Sequence, residues 1–146
     1  MLMTVMTITA QTALKKVYNE NIDPMEQIDK ALVNAKAEGK YVVCQVGGNW
    51  CPWCLRFADF AEKNQAVNYN PRKAGGEEAV KKAAKLMQRL DNPARFGFPV
   101  FVVLDANGKV LHTQDSSFLE EEKSYSEKKV LRFFNNWTPS AVENKK

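Results

Sequence analysis

The sequence has few of the residues from which metal sites and disulfide scaffolds are built. Among its 146 residues there is one histidine, His112, and there are three cysteines, Cys44, Cys51 and Cys54. A disulfide-stapled secreted scaffold needs more cysteines, evenly paired, so that class is excluded. A structural zinc site usually draws on a second ligand pair, and only Cys44 and His112 are left to supply one. No lysine or arginine run is interleaved with stacking aromatics, which leaves nucleic acid without support as a partner; Lys81-Lys82 and Lys128-Lys129 read as solvated helix faces. The apolar stretch at the N-terminus is too short to span a bilayer. No internal repeat and no second domain is visible.

What is present suits a sheet with helices on its faces. The apolar fraction of 45% and charged fraction of 26% are ordinary for a globular chain, and a net charge of +4 is too modest to select a partner. Met1 to Ala10 is apolar and Thr-rich, with Ile8-Thr9-Ala10 ahead of Gln11, like the end of a secretory signal peptide that has lost its positive start. The expectation is therefore a leader remnant over 1–10 and one domain over 11–146. The mature chain would work outside the cytoplasm, where disulfides are permitted, with no membrane span.

Ala13 to Glu20 reads as a short helix or strand, with Leu14, Val17 and Tyr18 as a weak helical stripe. Asp23 as cap, Pro24 at the first position and Glu26 three after the cap predict a helix to Glu38, stopped by Gly39. Met25, Ile28, Leu32 and Ala35 mark its inner face. Tyr41 to Val46 is a near-continuous apolar run that suits a central strand. A helix over Cys51 to Lys63 and a short parallel strand, Gln65 to Tyr69, follow. Glu77 to Leu90 is a helix with Val80, Ala83, Ala84, Met87 and Leu90 on one side. Phe98 to Leu104 is a second strong strand, and Asp105-Ala106-Asn107-Gly108 turns it into a hairpin with Lys109 to His112. Thr113 to Lys123 reads as polar loop. A last helix is predicted near Ser124, with Glu127 completing a capping box and Val130, Leu131, Phe133 and Phe134 buried.

Trp50-Cys51-Pro52-Trp53-Cys54 stands where the first strand meets a helix, after the flexible pair Gly47-Gly48. Cysteines at i and i+3 in that position are placed for reversible disulfide chemistry. Half of a zinc site and a static disulfide are the bland alternatives, and spacing alone leaves both open. Cys44, inside an apolar strand, reads as an inert core thiol, and His112 as a solvated strand end. Trp50, Trp53, Phe96 and Phe98 could supply an apolar rim suited to extended polypeptide.

Together, Trp50-Cys51-Pro52-Trp53-Cys54 after a strand, Gly97-Phe98-Pro99 entering the next long strand, the Asp-Ala-Asn-Gly turn and the terminal helix resemble the thioredoxin superfamily. The likeness runs from Pro24 to Trp137. Within the superfamily the chain is similar to exported thioredoxin-like disulfide isomerases and reductases. The resemblance implies an α/β fold whose mixed β-sheet has helices on both faces. It implies Cys51 and Cys54 as the catalytic pair and a cis Pro99 facing them, with Phe98 presenting backbone groups to an extended substrate strand; Trp50 and Trp53 of the apolar rim complete the expected substrate-binding surface with Phe98 and Pro99. It also implies cysteine-containing protein substrates, a separate redox partner that resets the pair, and no cofactor or metal beyond the redox-active disulfide itself. A bacterial periplasmic location goes with it. The competing function is a polypeptide-binding, chaperone-like module with little redox turnover.

Two departures from the family pattern stand out. Six residues before the first cysteine the family has a buried aspartate that assists proton transfer, and here the residue is Gln45, which cannot act as a base. The segment from Cys54 to Asn70 is also shorter than the family's helix, loop and strand. If Cys51 caps the helix and Pro52 is its first residue, the N–H groups of Trp53 and Cys54 point at the Cys51 sulfur and stabilise a thiolate. Comparable sites lower a thiol pKa from about 8.5 to roughly 3.5–7.5. Cys51 is accordingly the attacking thiolate and Cys54 the more buried resolving thiol.

Overall fold

A computed structural model describes residues 16–61, 66–71 and 75–144. The predicted leader at 1–10, Leu14, the predicted helix end at Lys63, the predicted strand start at Gln65 and Ala74 of the predicted loop lie outside the described residues. Helix α1 (Pro24–Glu38) follows its sequence signals closely: the Asp23 carboxylate accepts from the Met25 N–H at 2.9 Å, Pro24 opens the helix, and Gly39 closes it at φ 65°. Strand β1 (Val42–Gly47) leads into helix α2 (Pro52–Ala61), and the short strand β2 (Val67–Asn68) returns parallel to β1. Helix α3 (Glu77–Arg89) comes next. Strand β3 (Val100–Leu104) pairs antiparallel with β1, and β4 (Val110–Asp115) antiparallel with β3. The sheet order among the described residues is therefore β2-β1-β3-β4, a mixed sheet.

Alternation along β1 and β3 decides what each face buries. Cys44 and Val46, with Val100, Val102 and Leu104, face Ile28 of α1 and Leu86, Met87 and Leu90 at α3. Phe101 and Val103 face the other way, onto Phe57 of α2, Val130 and Phe133. Gln45 pairs with Phe101 and alternates with Cys44 and Val46, so it points to the α2 side. The α/β expectation of helices on both faces holds, and its reason is this two-sided burial of β3, all five residues of which are buried.

Several boundaries differ from the sequence expectation. Thr113 to Lys123 is not a loop. β4 continues to Asp115, a 3-10 turn spans Ser116–Leu119, and β5 (Glu120–Glu121) pairs with β6 (Ser124–Tyr125). The polar side chains there conceal a backbone that β3 needs as a partner along its length: Gln114 lies opposite Phe101 and Asp115 opposite Val100. Helix α4 (Glu127–Asn136) starts two residues later than predicted, capped by Ser126 rather than Ser124. Tyr125 cannot join the helix because it is buried against Phe57, 5.0 Å between ring centres, and paired with Glu120. On α4, Val130 and Phe133 are buried, whereas Leu131 is 51% exposed and Phe134 lies near the surface. On α3, Leu86 takes the core position that Val80 and Ala84 were expected to share. A short helix α5 (Pro139–Val142) and a 3-10 turn at Pro93–Phe96 were not anticipated. Residues 16–19 carry neither helix nor strand, so the weak stripe through Val17 and Tyr18 is not helical.

Phe57 ties the α2 layer to the sheet, 4.6 Å from Phe101 and 5.0 Å from Tyr125 between ring centres. Phe57→Ala is expected to lower stability by about 3–5 kcal/mol through lost burial and a residual cavity. Urea denaturation should show this as a lower midpoint at constant slope.

Candidate active site

β1 delivers the chain to the site and Gly47 lets it approach closely. A Cβ on Gly47 would stand 2.5 Å from the Cys54 sulfur and 2.8 Å from the Tyr18 hydroxyl, so no larger residue fits without displacement. The chain then turns, with the Cys51 N–H bonded to the Gly48 carbonyl at 3.1 Å, and α2 begins at Pro52. That start fulfils the geometry expected of Cys51 as cap: the Cys54 N–H donates to the Cys51 sulfur at 3.3 Å. The Cys51 thiol in turn donates to the Phe98 carbonyl, 3.6 Å away across a sequence gap of 47 residues. Cys44, Cys51 and Cys54 are all free thiols.

The two sulfurs are electrically unequal. The pKa of Cys51 is lowered to about 7. The Cys54 side chain makes the largest contribution by hydrogen-bonding to it, the backbone N–H groups of Cys54 and Trp53 add to this, and together they outweigh its burial. Cys54 is fully buried and moves the opposite way, far above the ordinary thiol range, because it donates to Cys51 and because burial disfavours its charge. Cys44 is pushed up to about 12, chiefly by burial, on the opposite face of the sheet.

Trp50, Trp53 and Phe98 pack against the cluster that holds both cysteines. The Trp50 ring meets Phe98 edge-on at 5.5 Å, and its indole N–H donates to the Tyr69 carbonyl at 3.0 Å. Trp53 meets Tyr125 edge-on at 5.5 Å and carries the Arg56 guanidinium over its face at 4.8 Å. The Phe98–Pro99 peptide bond is cis, and Pro99 is buried. Phe96 stands apart: it is 39% exposed, with Arg95 over its ring. His112 is not a solvated strand end. It sits within β4, bonded to Gln114 and stacked on Trp137 at 4.4 Å.

Sequence reasoning missed Tyr18, Asn49 and Tyr69. Tyr18 is buried beside Cys54, and its oxygen accepts from the Gln45 amide at 2.9 Å. Asn49 holds it there: its side-chain oxygen accepts from the Val17 and Tyr18 N–H groups, and its amide donates to the Tyr18 carbonyl at 2.8 Å. Tyr69 stacks on Phe98 at 5.0 Å. The one available signal was Asn49 itself, a residue whose side chain readily binds backbone, immediately before the motif.

No protein-family model matches the chain, and no curated protein matches it by sequence. Among solved structures, the chain is similar to the disulphide isomerase from Xylella fastidiosa Temecula1, with 26% identity and a TM-score of 0.63 over 85% of this chain and 98% of that one. The chain has a thioredoxin-like fold. A second solved structure, a DsbH oxidoreductase, overlaps 80% of this chain and 82% of its own length, at 23% identity and a TM-score of 0.48. In a thioredoxin-like fold, a Cys-x-x-Cys pair at the start of α2 with one depressed and one elevated thiol supports a redox role in general terms. Among the described residues no helix is long and apolar enough to cross a membrane.

Because the thiolate is the nucleophile, Cys51 alkylation should accelerate as pH rises through about 7 and level off above it. Iodoacetamide labelling followed by mass spectrometry over a pH series checks this. A midpoint near the ordinary thiol value would contradict the site electrostatics, and Cys44 should stay unlabelled across the series.

Proposed function

We propose that this chain is an exported thiol–disulfide oxidoreductase that reduces or isomerises protein disulfides through Cys51-Pro52-Trp53-Cys54. The observation that carries the reading is the setting of the Cys51 sulfur at the start of α2, where the Cys54 side chain first, and then the Cys54 and Trp53 N–H groups, lower its pKa to about 7 beside a deeply buried second thiol. A thiol titrating near ambient pH is both ionised and strongly nucleophilic, the best compromise for exchange. Cys51 attacks a substrate disulfide, one substrate sulfur leaves as thiolate, and a mixed disulfide forms. Cys54 then attacks the Cys51 sulfur, the second substrate thiol leaves, and a Cys51–Cys54 disulfide remains. The pair is oxidised by two electrons and the substrate is reduced by two.

Trp50, Trp53, Phe98 and Pro99 form the substrate-facing surface in this reading, and Phe98 offers backbone groups to an extended substrate strand. A separate dithiol partner resets the pair, and no cofactor or metal takes part. Cys44 lies across the sheet from the pair and His112 is stacked on Trp137, which argues against a zinc site using them as further ligands. The similarity to a disulphide isomerase supports the choice of reductase or isomerase over oxidase. Export rests on the Met1 to Ala10 pattern, and the periplasm is the compartment that suits it.

Two measurements test the reading. In insulin reduction, Cys51→Ser should lose all turnover, while Cys54→Ser should accumulate a covalent adduct through Cys51. Full turnover by Cys51→Ser would sink the assignment, and a native chain that binds unfolded polypeptide without reducing insulin would favour the chaperone-like module. Equilibration with glutathione sets the direction: a potential near about −270 mV marks a reductant, and one near about −120 mV an oxidant.

A further inference from the structure

Resolution needs negative charge on Cys54, and the site makes that difficult. Cys54 is fully buried, and the side chain beneath it at the position of the family's aspartate is Gln45, a neutral amide. Gln45 does not stand alone, however. Its amide nitrogen donates to the Tyr18 oxygen at 2.9 Å, and Tyr18 packs beside Cys54 in one buried cluster. The Tyr18 hydroxyl and the Cys54 sulfur share the space over Gly47 that a Cβ would fill. Since the amide donates into the Tyr18 oxygen, the hydroxyl proton is free to point at sulfur.

The bond from Gln45 uses the Tyr18 oxygen as acceptor and leaves its proton uncommitted. The neighbour beside that proton, across the space over Gly47, is a reacting sulfur. The backbone on both sides of Tyr18 is also fixed by Asn49, two residues before Cys51, through bonds of 3.2, 3.0 and 2.8 Å. We propose that Tyr18 is a further catalytic residue, whose hydroxyl donates to the Cys54 sulfur as that sulfur becomes negative in the resolving step. Gln45 and Asn49 are positioning residues that aim it. The proposal rests on the dithiol reading above and adds the group that replaces the missing carboxylate.

The step balances without a base in the Gln45 position. Cys54 sulfur attacks Cys51 sulfur, the bond from Cys51 to the substrate sulfur breaks, and its electron pair leaves with the substrate thiolate. The proton that Cys54 releases is taken up by that thiolate. Tyr18 keeps its own proton throughout: burial holds its acidity far below that of an ordinary phenol, so it acts as a donor only. The titratable groups facing Cys54 are Cys51 on its own helical turn, Tyr18 from the N-terminal segment and Tyr125 from β6; Gln45 and the Gly48 backbone are neutral.

Stopped-flow mixing of the reduced chain with dithiobis(nitrobenzoate) separates the two thiols. The first nitrothiobenzoate is released by attack of Cys51, the second by closure of Cys54 onto Cys51. In Tyr18→Phe the first phase should stay within about twofold, while the second should slow by about tenfold or more, with its pH midpoint raised by about one unit, the equivalent of one hydrogen bond to a charged sulfur. Gln45→Leu, which leaves the hydroxyl in place but unheld, should slow the second phase less, with a smaller upward shift, and it carries the test if Tyr18→Phe does not fold. An unchanged second phase in both variants, or equal slowing of both phases, would overturn the proposal. A small aromatic disulfide is the oxidant, so failure of the native chain on protein disulfides would count against the proposed function and leave the role of Tyr18 standing.

Discussion

The 3.3 Å bond from the Cys54 N–H to the Cys51 sulfur is the contact on which the site depends. It exists only if a helix begins directly after Cys51, and the neighbouring residues secure that beginning. Pro52 has no N–H to lose and a backbone angle already set for a first turn. Gly47 removes the side chain that would otherwise push Cys54 away from β1. Farther along α2, Phe57 is held between Phe101 and Tyr125, which fixes the direction of the helix and therefore of its free N–H groups. The acidity of one sulfur is thus connected, through the six helical residues from Pro52 to Phe57, to an aromatic cluster in the same layer.

The sheet also sorts the three cysteines. Consecutive residues of a strand face opposite layers, and Cys44 lies with Ile28 and Leu86 while Gln45 lies on the α2 side. A thiol only seven residues from the nucleophile is thereby kept apart from it. The same alternation puts a buried polar side chain, Gln45, where the chemistry occurs. Leaving such a group unpaired is costly, and Gln45 is paired at one end only: its amide nitrogen donates to Tyr18, while its amide oxygen is buried without a partner among the described residues.

Much of this could be read along the chain, because the decisive signals are local. The Asp23-Pro24 start, the Gly39 stop, the apolar β1 and β3 and the Cys-x-x-Cys pair each lie within a few residues of what they specify. Misreadings arose where partners are distant. Gln114 and Asp115 form strand because β3 requires an edge, not because they are apolar. Tyr125 belongs to a strand because Phe57, far away in sequence, requires its ring. Tyr18 is the sharpest case: its role depends on Gln45 27 residues later and on Asn49 31 residues later, and neither spacing leaves a periodic trace.

Those separations bear on how the protein becomes active as it folds. Helix α2 has ten residues, too few to persist alone in water, so its free N–H groups gather around Cys51 only once the sheet supports it. The contact of Cys51 with Phe98 bridges a separation of 47 residues, and such a non-local contact costs loop-closure entropy before it rewards it. An incompletely folded chain therefore carries three ordinary thiols, none with a special claim to react. The nucleophile is armed by the Cys54 thiol and the N–H groups at the start of α2, so its reactivity belongs to the folded state.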